Sequence, residues 1–366
     1  LTVNTNDDHD DGDCTVADCT LREAIAAANA GPGVNTILFD PSVTGTIVLA
    51  LGQLEISDDL VIFGPGSAAL AVSGDNASRV FDITSGQVEI TGLTIANGND
   101  DGYSGGGGIL IHGGVVVTGD DLVVFNNRSP AGNGGGIANR GNLTLTNSVV
   151  YSNTVGVQFA DYAQYGGGIY NDGALNLTSV EVFSNTAIIN NNGYGGGIGS
   201  YYGGGALTIS DSAIYSNTVP RSGGGIYVFG SGECPGCVID IQNSSISANS
   251  SSGDGGGIAV GNYANLQLSA VTISGNTAVG NGGGLWVDSV GTVAIRNSTI
   301  SGNVTTLQFN NVTVANNTAD SDADDTGDGG GLWSDVSGTS IQNSILANNH
   351  DLSTGLGVAA PDCSAL

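Results

Sequence analysis

Lysine and methionine are absent from this chain of 366 residues, and its only fixed cations are six arginines, Arg22, Arg79, Arg128, Arg140, Arg221 and Arg296. Against 34 carboxylates these leave a formal net charge of -28. Binding a phosphate backbone needs a basic stripe, which six scattered arginines do not make, so nucleic acid and anionic membranes are excluded as partners. No apolar run approaches the roughly 18–20 residues of a bilayer span, so membrane insertion is not expected. The chain opens on Leu1 without a leader-like stretch, which fits a mature, processed product.

Cysteine is scarce too. Cys14 and Cys19 are close neighbours, Cys234 and Cys237 close a C-P-G-C turn, and Cys363 stands alone. Two local disulfides and one leftover thiol are expected, in a secreted, extracellular or cell-surface setting. A zinc site at Cys234 and Cys237 lacks a second Cys/His pair at suitable spacing.

Glycine is abundant, at 62 residues, but it comes in clusters and not at every third position, which excludes collagen. A hydrophobic content of 40 % is enough to bury a core. The clusters repeat. Gly-Gly-Gly followed by Ile or Leu ends at Ile109, Ile137, Ile169, Ile198, Ile226, Ile258, Leu285 and Leu332. Between them an aliphatic residue stands three before an Asn: Val124 and Asn127, Val150 and Asn153, Val182 and Asn185, Ile214 and Asn217, Ile246 and Asn249, continuing to Asn349. The mean spacing is about 28 residues, the length of one solenoid coil. Length variation falls after the Asn, as in the segments 153–166 and 317–329, which reads as loops leaving a fixed cross-section.

Within a repeat, apolar residues alternate at period two, as in Ala174-Leu175-Asn176-Leu177-Thr178 and Val180-Glu181-Val182-Phe183. That pattern gives short strands with one face inward and excludes helices, which need spacings of three and four. The fold expected is all-β, a parallel β-helix. The repeated Asn satisfies backbone groups at an inward turn, and its amide can bond from coil to coil.

These paired signals resemble the polymorphic outer-membrane protein repeats of bacterial surface proteins, with Ile, Val or Leu where that family has Phe. The segment Cys19-Thr20-Leu21-Arg22-Glu23-Ala24 is similar to the Cys-Ser-Leu-Arg-Glu-Ala segment that opens many secreted bacterial right-handed β-helix proteins. The resemblance implies a right-handed winding.

Three regions follow: residues 1–35 as an N-terminal cap, 36–350 as the β-helix and 351–366 as a tail. Thr20 and Glu23 form a capping-box pattern, Leu21, Ala24, Ile25 and Ala28 share one face, and Gly31-Pro32 ends the short capping helix. No such helix closes the other end, so self-association through an uncapped C-terminal edge is expected, with Cys363 available to crosslink it.

Candidate sites are fewer. Asp100 and Asp101 with Asp120 and Asp121, around His112, are the carboxylates that could serve as acid and base on a glycosidic bond. Calcium is the expected metal, held by Asp320, Asp322, Asp324, Asp325 and Asp328 in one inserted loop, or by Asp7, Asp8, Asp10, Asp11 and Asp13. Phe125, Tyr151, Phe183 and Tyr215 form one outward aromatic column and Tyr170, Tyr227, Trp286 and Trp333 a second, suited to a glycan or a subunit partner. Polyuronate lyases need cations to bind and acidify a uronate, and the arginines are dispersed along the chain. The expected function is therefore a non-catalytic structural or adhesive protein, able to assemble end to end into filaments. The alternatives are a polysaccharide lyase or glycoside hydrolase, and a carbohydrate-binding module.

Overall fold

The computed structural model describes residues 1–299 apart from the segments 157–162, 189–191, 202–204, 231–237, 262–263 and 289–292, and beyond 299 only strands. The chain winds as a parallel β-helix. A representative coil runs through Ile169–Asn171, Ala174–Thr178, Glu181–Phe183 and Thr186–Ala187. Ile169–Asn171 belongs to a second sheet that has nine strands among the described residues. Ala174–Thr178 and Glu181–Phe183 belong to the large first sheet, and Thr186–Ala187 to a third.

Alternation decides what goes inside. Val150, Val182, Ile214, Ile246 and Ile273 pair in parallel register, one above the next, and each is at most 1 % exposed. Burying each such side chain contributes about 1.5–3 kcal/mol, repeated on every rung. The irregular first coils obey the same rule, with Ile37, Ile47, Ile62 and Ile83 fully buried.

The Asn positions form a continuous internal ladder. Asn127, Asn153, Asn185, Asn217, Asn249 and Asn276 are at most 3 % exposed. In each step the Oδ1 of one Asn accepts both the backbone N–H and the Nδ2 of the Asn one coil earlier, as Asn185 does from Asn153 at 3.0 Å. The other Nδ2 hydrogen goes to a backbone carbonyl, from Asn185 to Val150 at 2.9 Å. From Asn127 to Asn249 each amide is thereby satisfied without water, which is what a polar group in an apolar interior requires.

Just before the ladder the backbone turns left-handed. Ser184 and Ser216 have φ of 53° and 54°, Ala248 has 53°, and in the next coil the position is Gly275. Alanine has neither the freedom of glycine nor a polar group to offset the strain. Ala248→Gly is expected to stabilise the protein by about 0.5–1 kcal/mol in chemical denaturation. Against the ladder itself, Gly166 has φ of 72°, and a Cβ on Gly167 would collide with the carbonyl oxygen of Gly196 and the backbone of Thr186. Glycine there lets successive coils touch.

The N-terminal end is closed by the helix Leu21–Ala30. Thr20 caps it, accepting from the Glu23 N–H, while Glu23 accepts from the Thr20 N–H at 2.8 Å. Cys14 and Cys19 are joined in a disulfide; Cys234, Cys237 and Cys363 lie outside the described residues. His9 Nε2 lies 2.9 Å from Asp18 and 3.8 Å from Glu23. Burial works against the charge of Glu23, but the hydrogen bonds from Thr20 and Asp11 outweigh it and hold its carboxyl below 4.5. For His9, desolvation is outweighed by Asp18, Glu23 and Asp11, which raise it above 6.5. The Glu23 contribution is present above 4.5 and lost as pH falls through its depressed value. The His9 contribution is present below 6.5 and lost as pH rises through its elevated one. The cap is therefore expected to be tightest between about pH 4.5 and 6.5. Amide exchange of Ala24 and Ile25 checks this, protection being maximal in that window.

Candidate functional site

Along each strand of the second sheet the first and third residues point inward and the second and fourth outward. The second position gives Asp82, Leu110, Ala138 and Tyr170 on successive coils, then Gly199, Tyr227, Ala259 and Trp286. Backbone bonds from His112 to Ile83, Arg140 to Ile111 and Asp172 to Asn139 carry the pairing one residue further. The fourth position therefore reads His112, Arg140, Asp172, Tyr201 and Phe229 on consecutive rungs. Adjacent rungs are ~4.8 Å apart.

His112 is positioned by a chain of polar contacts. Its Nε2 lies 2.9 Å from Asp82 Oδ1. Asp82 Oδ2 accepts from Gln53 at 2.9 Å and faces Arg79 at 3.6 Å. Arg79 pairs with Asp100 at 2.8 Å and donates to the carbonyls of Gly105 and Gly106. The Arg79 and Asp100 side chains are each only 7 % exposed, so removing either strands a buried charge. In the neutral imidazole, the tautomer that donates Nε2–H to Asp82 leaves the Nδ1 lone pair free.

On the next rung Arg140 is exposed and donates to the Ser104 carbonyl at 2.7 Å. On the rung after, desolvation pushes the Asp172 carboxyl above the usual range, against the pull of Arg140. Burial and the nearby Asp172 push the Tyr170 phenol up to about 12.

Beyond Asp172 the face becomes aromatic. Tyr165 lies over the sheet in the space left by Gly199, whose Cβ would meet the Tyr165 backbone. It stacks on Tyr201 at 4.5 Å and Tyr194 at 5.3 Å, while Tyr194 meets Tyr227 at 4.6 Å and Tyr201 meets Phe229 at 5.4 Å. At the patch edge the Arg221 guanidinium lies 5.3 Å from the Tyr194 ring centre. Burial raises the Asp254 carboxyl beside it, with the Asp288 charge adding to the effect.

The structure regroups the expected site residues. Asp100 and His112 join one network, but Asp101 is exposed elsewhere on its loop. Asp120 accepts from Thr146 and Asn147, and Asp121 from Ser67, at the bend of the first sheet. They do not form a carboxylate pair about His112. Asp8 is committed to Arg22 at 2.9 Å and to the Ala50 and Leu51 amides, which takes it out of the acidic run as a ligand. Of Asp7, Asp10, Asp11 and Asp13, only Asp11 joins a ligand-like group, with His9 and Glu23. Asp320, Asp322, Asp324, Asp325 and Asp328 and the Trp333 side chain lie outside the described residues.

The two aromatic columns also separate. Tyr170 and Tyr227 are 7 % and 6 % exposed beneath rings brought in by the loops, so the accessible rings there are Tyr194, Tyr201, Phe229 and Trp286. Phe125, Tyr151, Phe183 and Tyr215 stack face to face at 5.2, 5.0 and 4.8 Å, so most of their faces cover one another. Sequence spacing missed Tyr165, Tyr194, Arg140, Asp172 and Tyr201. The available signal was the residue three after each Gly-Gly-Gly-Ile aliphatic, and the Tyr immediately before two of the glycine clusters.

The molecule is thus a parallel β-helix with a charged and aromatic outer face on its second sheet. Residues 196–360 match the family model described as right handed beta helix region, in accord with the right-handed winding. No curated protein gives a significant match to the sequence. Among solved structures, pectate lyase Pel9A is similar at 17 % identity and a TM-score of 0.44, over 98 % of this chain and 81 % of that one. The A-module of the Azotobacter vinelandii mannuronan C-5 epimerase AlgE6 is similar at 15 % identity and a TM-score of 0.41, over 94 % and 93 %. The AlgE4 A-module has 14 % identity and a TM-score of 0.33, over 94 % of both chains. The expectation of a non-catalytic structural or filament-forming subunit is corrected: the solved structures named here are polysaccharide-modifying enzymes. At these identities and TM-scores the likeness carries no activity over to this chain, and any activity rests on its own side chains.

Proposed function

We propose that this chain is a secreted polysaccharide lyase that acts on a uronate-containing polymer laid along the second sheet. The observation that carries the reading is the succession of His112, held by Asp82, then Arg140, then Asp172 on adjacent rungs of one face. Dispersal of arginines in the sequence is no obstacle, because residues one coil apart are neighbours. Arg79, Arg140 and Arg221 all lie on this face or its glycine edge.

Elimination from a uronate needs three things, and each has a side chain. The carboxylate must be paired so that the hydrogen on the adjacent carbon, C5, becomes acidic; the Arg140 guanidinium does this. The proton must be taken, and Nδ1 of His112 takes it. The C5–H electron pair then forms the C4=C5 bond as the C4–O glycosidic bond breaks, and the departing oxygen receives a proton from Asp172, whose raised carboxyl suits a donor. His112 and Asp172 are two rungs apart, roughly 10 Å between backbones, which leaves room for a sugar ring between their side chains. The rings of Phe229 and Trp286 continue the track as stacking surfaces. The Cys14–Cys19 disulfide supports an oxidising compartment.

A panel of polyuronates and neutral polysaccharides, with and without added calcium, tests the reading. Ultraviolet absorbance reports the unsaturated product and a reducing-end assay reports any chain cleavage. Unsaturated product from at least one polyuronate is expected. Its absence from all of them overturns the proposal, and reducing ends without unsaturation would point to hydrolysis by Asp254 and Asp288.

A further inference from the structure

We infer that the first sheet carries a second carbohydrate site, for a neutral oligosaccharide, on the open face of Tyr215 and in the groove beside it. The stack of Phe125, Tyr151, Phe183 and Tyr215 holds its rings within 8° of parallel. Inner ring faces are covered by their neighbours, but the far face of Tyr215 is not, because its partners on the next two rungs are Ser247 and Ser274. The outcome is a ring-sized shelf with a flat aromatic wall at one end. The ring is held in place by its hydroxyl, which donates to Glu181 Oε2 at 2.8 Å.

Glu181 also lines a groove of about 560 Å³ that runs beside the shelf, at the bend of the first sheet. Asp211, Asn243, Ser245 and Thr272 are among its other polar lining residues, and no cation contributes to it. Hydroxyls, an amide and carboxylates next to one aromatic face suit a sugar ring, which has an apolar face and a rim of hydroxyl groups. A uronate would meet Glu181 and Asp211 with nothing to offset its charge, so the ligand is neutral. The site goes beyond the lyase reading: it lies on a different sheet and adds an anchoring surface for neutral chains.

Isothermal titration of the intact protein with soluble hexamers of β-1,4-linked glucose, mannose and xylose tests it. At least one is expected to bind, and Tyr215→Ala to weaken binding about tenfold. Because that change also removes a stacking partner, Ser247→Tyr is the companion variant. A fifth ring over the open face should raise the melting temperature and weaken binding, because it moves the aromatic wall one rung along the groove. Neither variant touches the second sheet, so elimination from a short uronate oligomer stays unchanged, and failure of either proposal is distinguishable from failure of the other. No binding by any hexamer, binding that both variants leave intact, or uronate oligomers that bind with the same sensitivity to both variants would each overturn the inference.

Discussion

His112→Gln is expected to lower the rate of uronate elimination by about 10²–10⁴-fold, the usual contribution of a positioned general base. Glutamine keeps an N–H that can reach Asp82, so the network of Gln53, Arg79 and Asp100 keeps its partners and the fold is retained. What disappears is the Nδ1 lone pair. The loss should fall on kcat with little change in KM, because His112 acts on the moving proton and not on the bound ground state. Arg140→Gln should differ, raising KM and lowering kcat together, since the guanidinium pairs with the substrate carboxylate both before and during proton removal. Steady-state kinetics on a defined uronate oligomer separates the two patterns. A His112→Gln variant with activity within threefold of the parent would remove His112 from the mechanism.

The largest stability effect is expected from Asn185→Ala, a loss of about 3 kcal/mol or more. The Asn185 Oδ1 is the acceptor for both the backbone N–H and the amide of Asn153, and its Nδ2 serves the Val150 carbonyl and Asn217. Truncation leaves two donors and one carbonyl without the partners that Asn185 gave them. Each such orphan costs about 1–3 kcal/mol. Since coils contact only their neighbours, the damage should be local before it is global. Amide exchange should rise first in the coils bearing Asn153, Asn185 and Asn217, while the capping helix stays protected. A denaturation midpoint shifted by less than about 1 kcal/mol equivalent would show that water or a neighbouring group replaces the amide.

How much of this was legible depended on whether a feature repeated in phase. The inward aliphatics and the Asn ladder were readable because Val150, Val182 and Ile214 recur at a fixed offset from their Asn, whatever the loops between coils do. The capping helix was readable because Thr20 and Glu23 carry their own local chemistry. The charged strip was not read, because His112, Arg140 and Asp172 are different residue types in one column, and a column of unlike residues gives no periodic signal. Arginines judged by separation along the chain looked dispersed, although Arg140 follows His112 by one turn of the winding. The aromatic patch was half read: Tyr170 and Tyr227 belong to it, but Tyr165 and Tyr194 arrive from loops of unequal length and bury them. The Asp100–Arg79–Asp82 network escaped because it joins the early, irregular coils, where no common offset exists. The mutual covering of Phe125, Tyr151, Phe183 and Tyr215 follows from equal ring orientations, which spacing alone does not set.

The hydrogen bond from each ladder Asn to the next has a consequence for how such a molecule can change size. Each amide specifies only where the following one must sit, so a duplicated segment that begins and ends at equivalent Asn residues splices into the stack with its bonds already matched. The outer face would then lengthen by one rung, ~4.8 Å, with the strip and the patch moved apart as units. Descendants of this chain can thus be graduated like a ruler, in whole turns.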